Sequence, residues 1–187
     1  MLSKDVFNDL PTLETDRLLL RKVRPEDAKD VFEYASDPEV PKYSVWQPHQ
    51  SIVDSQKFLG SVIEQYKSHQ VTAWGVEHKQ DRKLIGTCGF NSWIIEDNRA
   101  EIGYALSRQY WGCGYMPEAV REVVAFGFHK MGLNRIEARC QVENTASARV
   151  MEKVGMEFEG ILREQAFTKG SYKDMKIYSL LKREWVL

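Results

Sequence analysis

Cysteine is scarce in this chain of 187 residues. Cys88, Cys113 and Cys140 are an odd set that cannot pair off, and no CxxC or Cys/His cluster accompanies them. That argues against a disulfide scaffold or a structural zinc site and leaves reduced thiols as the expectation. Histidine is nearly as sparse. His49, His69, His78 and His129 put no two imidazoles on one helix face, so no metal is expected. Long apolar runs are missing too: nothing approaches the roughly 20 residues that span a bilayer, and "MLSKDVFNDLPTLETD" has no apolar run behind a basic flank. Neither sign of charge dominates, with 26 Lys plus Arg against 27 Asp plus Glu, so no broad basic field is available to grip a phosphate backbone. The expectation is a soluble, cytoplasmic protein with no nucleic-acid or membrane partner. Repeats, low-complexity runs and Pro/Gly/Ser-rich linkers are also absent, so residues 1–187 read as one domain with a core large enough to fold unaided.

What is present is an ordered succession of elements. "RLLLRKV" (17–23) reads as a strand, and "RPEDAKDVFEYAS" places Ala28, Val31, Phe32 and Ala35 at helical spacing before Pro38 stops it. A second helix spans Ile52 to about Ser68, after the Pro-interrupted loop "VPKYSVWQPH". "TAWGVEH", "KLIGTCGFNSWII" and "RAEIGYALS" follow as strands joined by short polar turns, which suit antiparallel hairpins. "MPEAVREVVAFGFHKMG" is the strongest helix, with Pro117 at its first position, Glu118 at the positive end of the dipole and Gly132 past its end. "NRIEARCQVEN" alternates, setting Ile136, Ala138, Cys140 and Val142 against Glu137, Arg139 and Gln141. A short helix, Thr145 to Val154, follows with Asn144 as N-cap and Gly155 as terminator, and two last strands meet at "TKGS". The class is α+β: a mixed, mostly antiparallel sheet of about seven strands with about four helices. A right-handed crossover through the long helix makes "RAEIGYALS" and "RIEARCQV" parallel neighbours.

Between strand and long helix lies "SRQYWGCGYMPEAV". A strand, a glycine turn and a helix N-terminus together form a nest of unpaired N–H groups at the positive end of a dipole, a fit for phosphate. A P-loop needs GxxxxGK[ST], and no Lys follows here. A dinucleotide turn needs a third glycine where Pro117 stands. A bare G-x-G is also compatible with a simple tight turn.

"QYWGCG" is Q-x-x-G-x-G and resembles the acetyl-coenzyme A signature of the GNAT superfamily of N-acetyltransferases. "TDRLLLRKVRPEDA", "AEIGYALSRQYWGCGYMPEAV", "RIEARCQVENTASARVMEKVGMEFEG" and "YKDMKIYSLLKREW" resemble, in that order, its ribosomal-protein alanine/serine N-acetyltransferase branch. The resemblance implies a sheet whose fourth and fifth strands splay to admit acetyl-CoA. It implies that Gln109 opens the turn and that the amides of Trp111 or Gly112 through Cys113, Gly114, Tyr115 and Met116 hold the pyrophosphate. The main chain from Ile102 through Tyr104 to Leu106 would pair with the pantetheine arm, which Asn144 would also bond, while serving as a helix cap.

Acetyl transfer to an amine needs a base for the ammonium, a donor to the thioester oxygen and a proton for the departing thiolate. By the resemblance Glu101 is the candidate base, its pKa raised by partial burial, or else a sheet residue paired with Arg99 or Arg139. Ser147, three residues after Asn144, is the candidate acid or thiolate-orienting group, with Tyr104 and Tyr178 as alternatives, and an N–H near Leu106 is the oxyanion donor. Cys113 has no His nearby in sequence to activate it, so direct attack is expected rather than a covalent route. Candidate acceptor contacts are Tyr43, Trp46 and Trp93, with Phe167 and Tyr172, and Glu96 and Asp97 as attractors of a cation. The branch points to a protein N-terminus beginning with alanine or serine as acceptor. Small amines, polyamines or antibiotics are alternatives, as is an idle acyl-CoA sensor, and the chain is read as a monomer or homodimer.

Overall fold

The computed structural model describes Phe7 and residues 9–185. In chain order the elements are β1 (Leu13–Glu14), β2 (Leu18–Arg21), α1 (Ala28–Ala35), α2 (Ile52–Lys67), β3 (Ala73–His78), β4 (Lys83–Ile94) and β5 (Arg99–Leu106). Then come α3 (Tyr115–His129), β6 (Arg135–Gln141), α4 (Thr145–Val154), β7 (Glu157–Thr168) and β8 (Ser171–Leu181). They build one eight-stranded sheet in the order β1-β2-β3-β4-β5-β6-β8-β7, with β5 and β6 its parallel pair. The strand beyond the seven expected is β1, two residues long and too short to show any alternation.

Alternation along β4 separates two cores. Ile85 packs with Val120, Val123 and Val124 of α3, while its neighbour Leu84 packs with Val31 of α1 and Leu59 of α2 on the other face. The α3–α4 face carries the larger core, including Trp74, Phe90, Ile102, Ile136 and Met151.

Three details depart from the sequence reading. Helix α3 begins at Tyr115, so Pro117 is its third residue, still in the first turn where a missing N–H leaves nothing unpaired. Gly132 (φ 69°) lies beyond the end of α3, where Leu133 N donates to Gly127 O at 3.0 Å. On β6 the polar face is not outward: Glu137 and Gln141 are 6% and 5% exposed, because arginines surround the first and the α1–α2 loop covers the second.

The expected splay between the strands called fourth and fifth, here β5 and β6, is present. They pair over Arg99–Glu101 against Arg135–Glu137, and the pairing stops there. Each strand keeps its other partner far beyond that point, β5 through Gly86↔Leu106 and β6 through Gln141↔Met175. The sheet therefore opens as two intact halves. The register shift in β4 between Phe90 and Ser92 lies opposite Ile102 and Glu101, where pairing to β6 ends, and such a bulge adds local twist.

Candidate active site

Beyond Leu106 a single turn of 3-10 helix, Arg108–Tyr110, leads into the glycine loop. Gly112 and Gly114 have φ of 78° and 81°, left-handed values that cost a side-chain-bearing residue roughly 1–2 kcal/mol. A Cβ at Gly112 would meet nothing within 4 Å, so conformation rather than crowding calls for glycine there, and the loop's outer surface is open. The N–H groups of Gly112, Cys113 and Gly114 donate to no described protein group. Gly114 is the N-cap of α3 and offers no side-chain cap, so the leading amides Tyr115 and Met116 are left over as well. The Met116 side chain is buried. Trp111, 44% exposed, donates its indole Nε1–H to Leu106 O at 2.8 Å, which occupies one carbonyl that the sequence reading left for a ligand. Gln109 Nε2 lies 3.4 Å from Glu33 Oε1, turned toward α1. Cys113 is exposed, with Sγ 3.6 Å from Trp111 O.

The loop is braced by residues that sequence reasoning did not single out. Tyr110 and Tyr115, on its two flanks, both pack their rings on His78, at 5.4 and 4.9 Å between centroids. His78 Nδ1 and the Tyr110 hydroxyl meet Asp81 Oδ2 at 2.8 and 2.6 Å, and those bonds, Tyr110 first, hold the Asp81 carboxyl below its ordinary range. Arg17 donates from Nη1 to Cys113 O at 3.0 Å and from Nε to Glu118 Oε2 at 2.7 Å, with its guanidinium 4.3 Å from the Tyr115 ring centre. The sequence showed Arg17 as one of several arginines near a strand, and nothing local ties it to a loop 96 positions away.

At the opened sheet the predicted residues fall on two faces. On the α3–α4 side Tyr104 reaches across to Ser147: its hydroxyl is 3.0 Å from Ser147 Oγ and 3.1 Å from Ser147 O. Burial pushes the Tyr104 phenol well above its usual range, so it stays protonated. Asn144 caps α4 by accepting from Ser147 N at 3.1 Å through Oδ1, which leaves its amide NH2 free of that task. Cys140 is buried on β6, and burial raises its thiol. Tyr178, the other alternative acid, is buried on β8 with its hydroxyl 3.1 Å from Glu152 Oε1.

Glu101 alternates with Ala100 and Ile102 of the main core and so faces the side of α1, α2 and their loop. Its Oε2 is 3.6 Å from Arg139 Nε, so of the two arginines considered, Arg139 is the partner. Arg139 also approaches Glu137 at 3.4 Å. A cation therefore stands beside the partly buried Glu101, as in the ion-paired alternative of the sequence reading. The α1–α2 loop closes on this side: Gln141 Nε2 donates to Tyr43 O at 3.0 Å, and Lys169, at the β7–β8 turn, donates to Pro41 O at 2.6 Å. Tyr43 therefore lies beside the free end of β6, and Trp46 packs at the edge of the smaller core against His49. Val45 on that loop is 80% exposed, and Phe167 and Tyr172, paired across the end of the β7–β8 hairpin on the same face of β8 as Tyr178, are 66% and 64% exposed.

Trp93 is a correction. It pairs with Ala100, packs on Phe7 at 5.9 Å between ring centres and belongs to the main core, on the other face from Glu101. The β4 register shift turns it there. Glu96 and Asp97 are also misplaced as attractors, since they occupy the β4–β5 turn at the closed end of the sheet, where Asp97 is taken by Arg99 at 3.0 Å. Among the described residues no cluster of His, Cys, Asp and Glu could hold a metal ion, and no helix is long and apolar enough to cross a membrane.

The sequence profile described as the acetyltransferase (GNAT) domain matches residues 17–157. The chain belongs to the GNAT acetyltransferases. It is 39% identical over 176 residues to the uncharacterized N-acetyltransferase p20 of Bacillus licheniformis, which covers 94% of this chain and 99% of that one. The crystal structure of a GNAT-family acetyltransferase from Bacillus anthracis superimposes with a TM-score of 0.83 at 31% identity, over 93% of this chain and all of the other. A more distant relative, 24% identical over 179 residues and 92% of each chain, is the [ribosomal protein uS5]-alanine N-acetyltransferase of Escherichia coli. The protein is an acetyl-CoA-dependent N-acetyltransferase, and an open nest of amides beside a split sheet fits such a donor: one end anionic, the other extended.

Proposed function

We propose that this GNAT enzyme acetylates the α-amino group of a protein N-terminus, with acetyl-CoA seated on the glycine loop and in the gap between β5 and β6. The observation that carries the donor site is the coincidence of two left-handed glycines with unspent N–H groups at the end of the same strand, β5, that loses its partner after Glu101. In this reading residues 112–116 bind the pyrophosphate. The edge of β5 that loses β6 after Glu101, running along Ile102–Leu106 up to the Leu106 carbonyl taken by Trp111, and Asn144 align the pantetheine. Acetyl-CoA supplies the activated acetyl thioester.

Glu101 and Ser147 then flank the gap from opposite faces. Glu101, on the side of the α1–α2 loop, takes the proton that an incoming ammonium must lose before it can attack. Ser147, backed by Tyr104, supplies a proton to the departing thiolate. Cys113 has no role in this scheme, because an exposed thiol whose bonded neighbour is a carbonyl has nothing beside it to remove its proton.

For the acceptor, the support is exposed apolar surface. Val45 on the α1–α2 loop and Phe167 and Tyr172 at the end of the β7–β8 hairpin present it where that loop meets that hairpin, which suits an extended peptide better than a compact, strongly hydrophilic amine. The name of the Escherichia coli relative points the same way. The test is thiol release from acetyl-CoA with peptides starting in Ala or Ser, the same peptides with blocked N-termini and an internal Lys, spermidine, and an aminoglycoside. Higher kcat/KM for the free N-termini is expected. Turnover confined to spermidine or the aminoglycoside would replace this acceptor assignment.

A further inference from the structure

We infer that Arg17 is a positioning residue for the acetyl-CoA loop, setting the direction of its amides through the carbonyl of Cys113. The inference rests on the reading above, that residues 112–116 hold the pyrophosphate.

Gly112 and Gly114 give the loop its left-handed turns but also its freedom, since glycine resists few conformations. Something must choose one. Tyr110 and Tyr115 pin the loop's flanks through His78, and between them Arg17 Nη1 holds Cys113 O at 3.0 Å. The peptide bond is planar and trans, so a carbonyl fixed toward Arg17 turns the N–H of Gly114, on the same peptide plane, the opposite way. The guanidinium cannot swing freely: Nε and Nη2 fork onto Glu118 Oε2 at 2.7 and 2.6 Å, and its Cζ lies over the Tyr115 ring, 4.3 Å from the ring centre. Glu118 is itself held by Thr15 Oγ1 and by the backbone N of Arg17, at 2.5 and 3.1 Å. Burial works against the Glu118 charge, but the bonds from Thr15 and Arg17 outweigh it and leave the carboxyl below its ordinary range. The brace thus runs from the start of β2, through Glu118 in the first turn of α3, to the middle of the loop.

A simple charge role makes the opposite prediction about Glu118. If Arg17 acted by attracting the anion directly, neutralising the carboxylate beside it would strengthen binding. If Arg17 acts by fixing the loop, loosening its anchor weakens binding. The experiment compares KM for acetyl-CoA and for S-acetyl-pantetheine, which lacks the pyrophosphate, in the full chain and in Arg17→Met and Glu118→Gln. In both variants KM for acetyl-CoA is expected to rise about tenfold or more, with kcat and the KM for S-acetyl-pantetheine little changed. Arg17→Lys, one point charge that cannot fork, should recover only part of the loss. A fall in KM for acetyl-CoA in Glu118→Gln overturns the positioning role, as does an equal loss with both thioesters, the mark of general damage to the fold. Wild-type enzyme that fails to distinguish the two thioesters would instead remove the pyrophosphate reading itself, and this inference with it.

Discussion

Tyr104 on β5 and Ser147 on α4 meet hydroxyl to hydroxyl at 3.0 Å, on the side of the sheet where β5 and β6 have parted. The phenol, held protonated by burial, can donate to Ser147 O at 3.1 Å, and Ser147 Oγ–H is then free to point elsewhere. A serine whose own backbone carbonyl is satisfied by its neighbour is well prepared to give a proton to a thiolate in the gap.

Ser147→Ala is therefore expected to lower kcat by about 100-fold, the low end of the range for a positioned acid. KM for acetyl-CoA should stay within about twofold, because the Asn144 cap accepts from the Ser147 backbone and survives the change. Tyr104→Phe should lose less, since it removes a support and not the donor. Steady-state kinetics at saturating acceptor check both, and a Ser147→Ala enzyme with normal kcat would move the acid elsewhere.

Glu101→Gln should reduce kcat by about 100-fold with the KM for acetyl-CoA little changed, since the base is lost while the side chain keeps its size. Arg139, 3.6 Å away, retains Glu137 at 3.4 Å as a partner, so the fold should tolerate the change. An unchanged kcat would leave Glu101 as a sheet ion-pair residue.

Gly112→Val should leave the protein folded but without acetyl-CoA binding. Nothing in the protein lies within 4 Å of the added Cβ, so the penalty is the left-handed φ and the branched side chain standing where the anion would approach. Thermal unfolding with and without acetyl-CoA is the check: wild type should gain stability in proportion to ligand saturation, and the variant none.

Local signals were legible in the sequence and long-range ones were not. Asn144 and Gly155 bound α4 as their residue types suggested, because a cap is settled within four residues. The splay came from resemblance, and its physical counterpart, the β4 register shift opposite Ile102, leaves no compositional mark. That same shift puts Phe90 and Trp93 on one core although simple alternation would separate them, so the side that Trp93 faces does not show in the strand pattern. Glu137 looked outward-facing by alternation. Its burial depends on Arg99 as well as its near neighbours Arg135 and Arg139, and a partner 38 positions away does not show in a strand pattern.

The last prediction concerns acid stability. Arg135 forks onto Glu159 at 2.7 and 2.6 Å, and Ser179 Oγ adds a third bond at 2.6 Å, so first the arginine and then the serine pull the Glu159 carboxyl from its ordinary 4.5 to about 2. A folded-state pKa below the unfolded one means that the stabilisation is complete above about pH 4.5 and drains away as pH falls toward 2. Glu159 is 40% exposed, so screening reduces the contribution to about 1 kcal/mol or less. Glu159→Gln removes the titrating group without stranding the guanidinium, because Arg135 Nε still has Glu137 at 2.7 Å. Urea midpoints measured from about pH 5 down to pH 3 should fall less steeply in the variant than in wild type, with the two curves converging at the acid end. Parallel curves would mean that solvent, not Arg135, sets the protonation of Glu159.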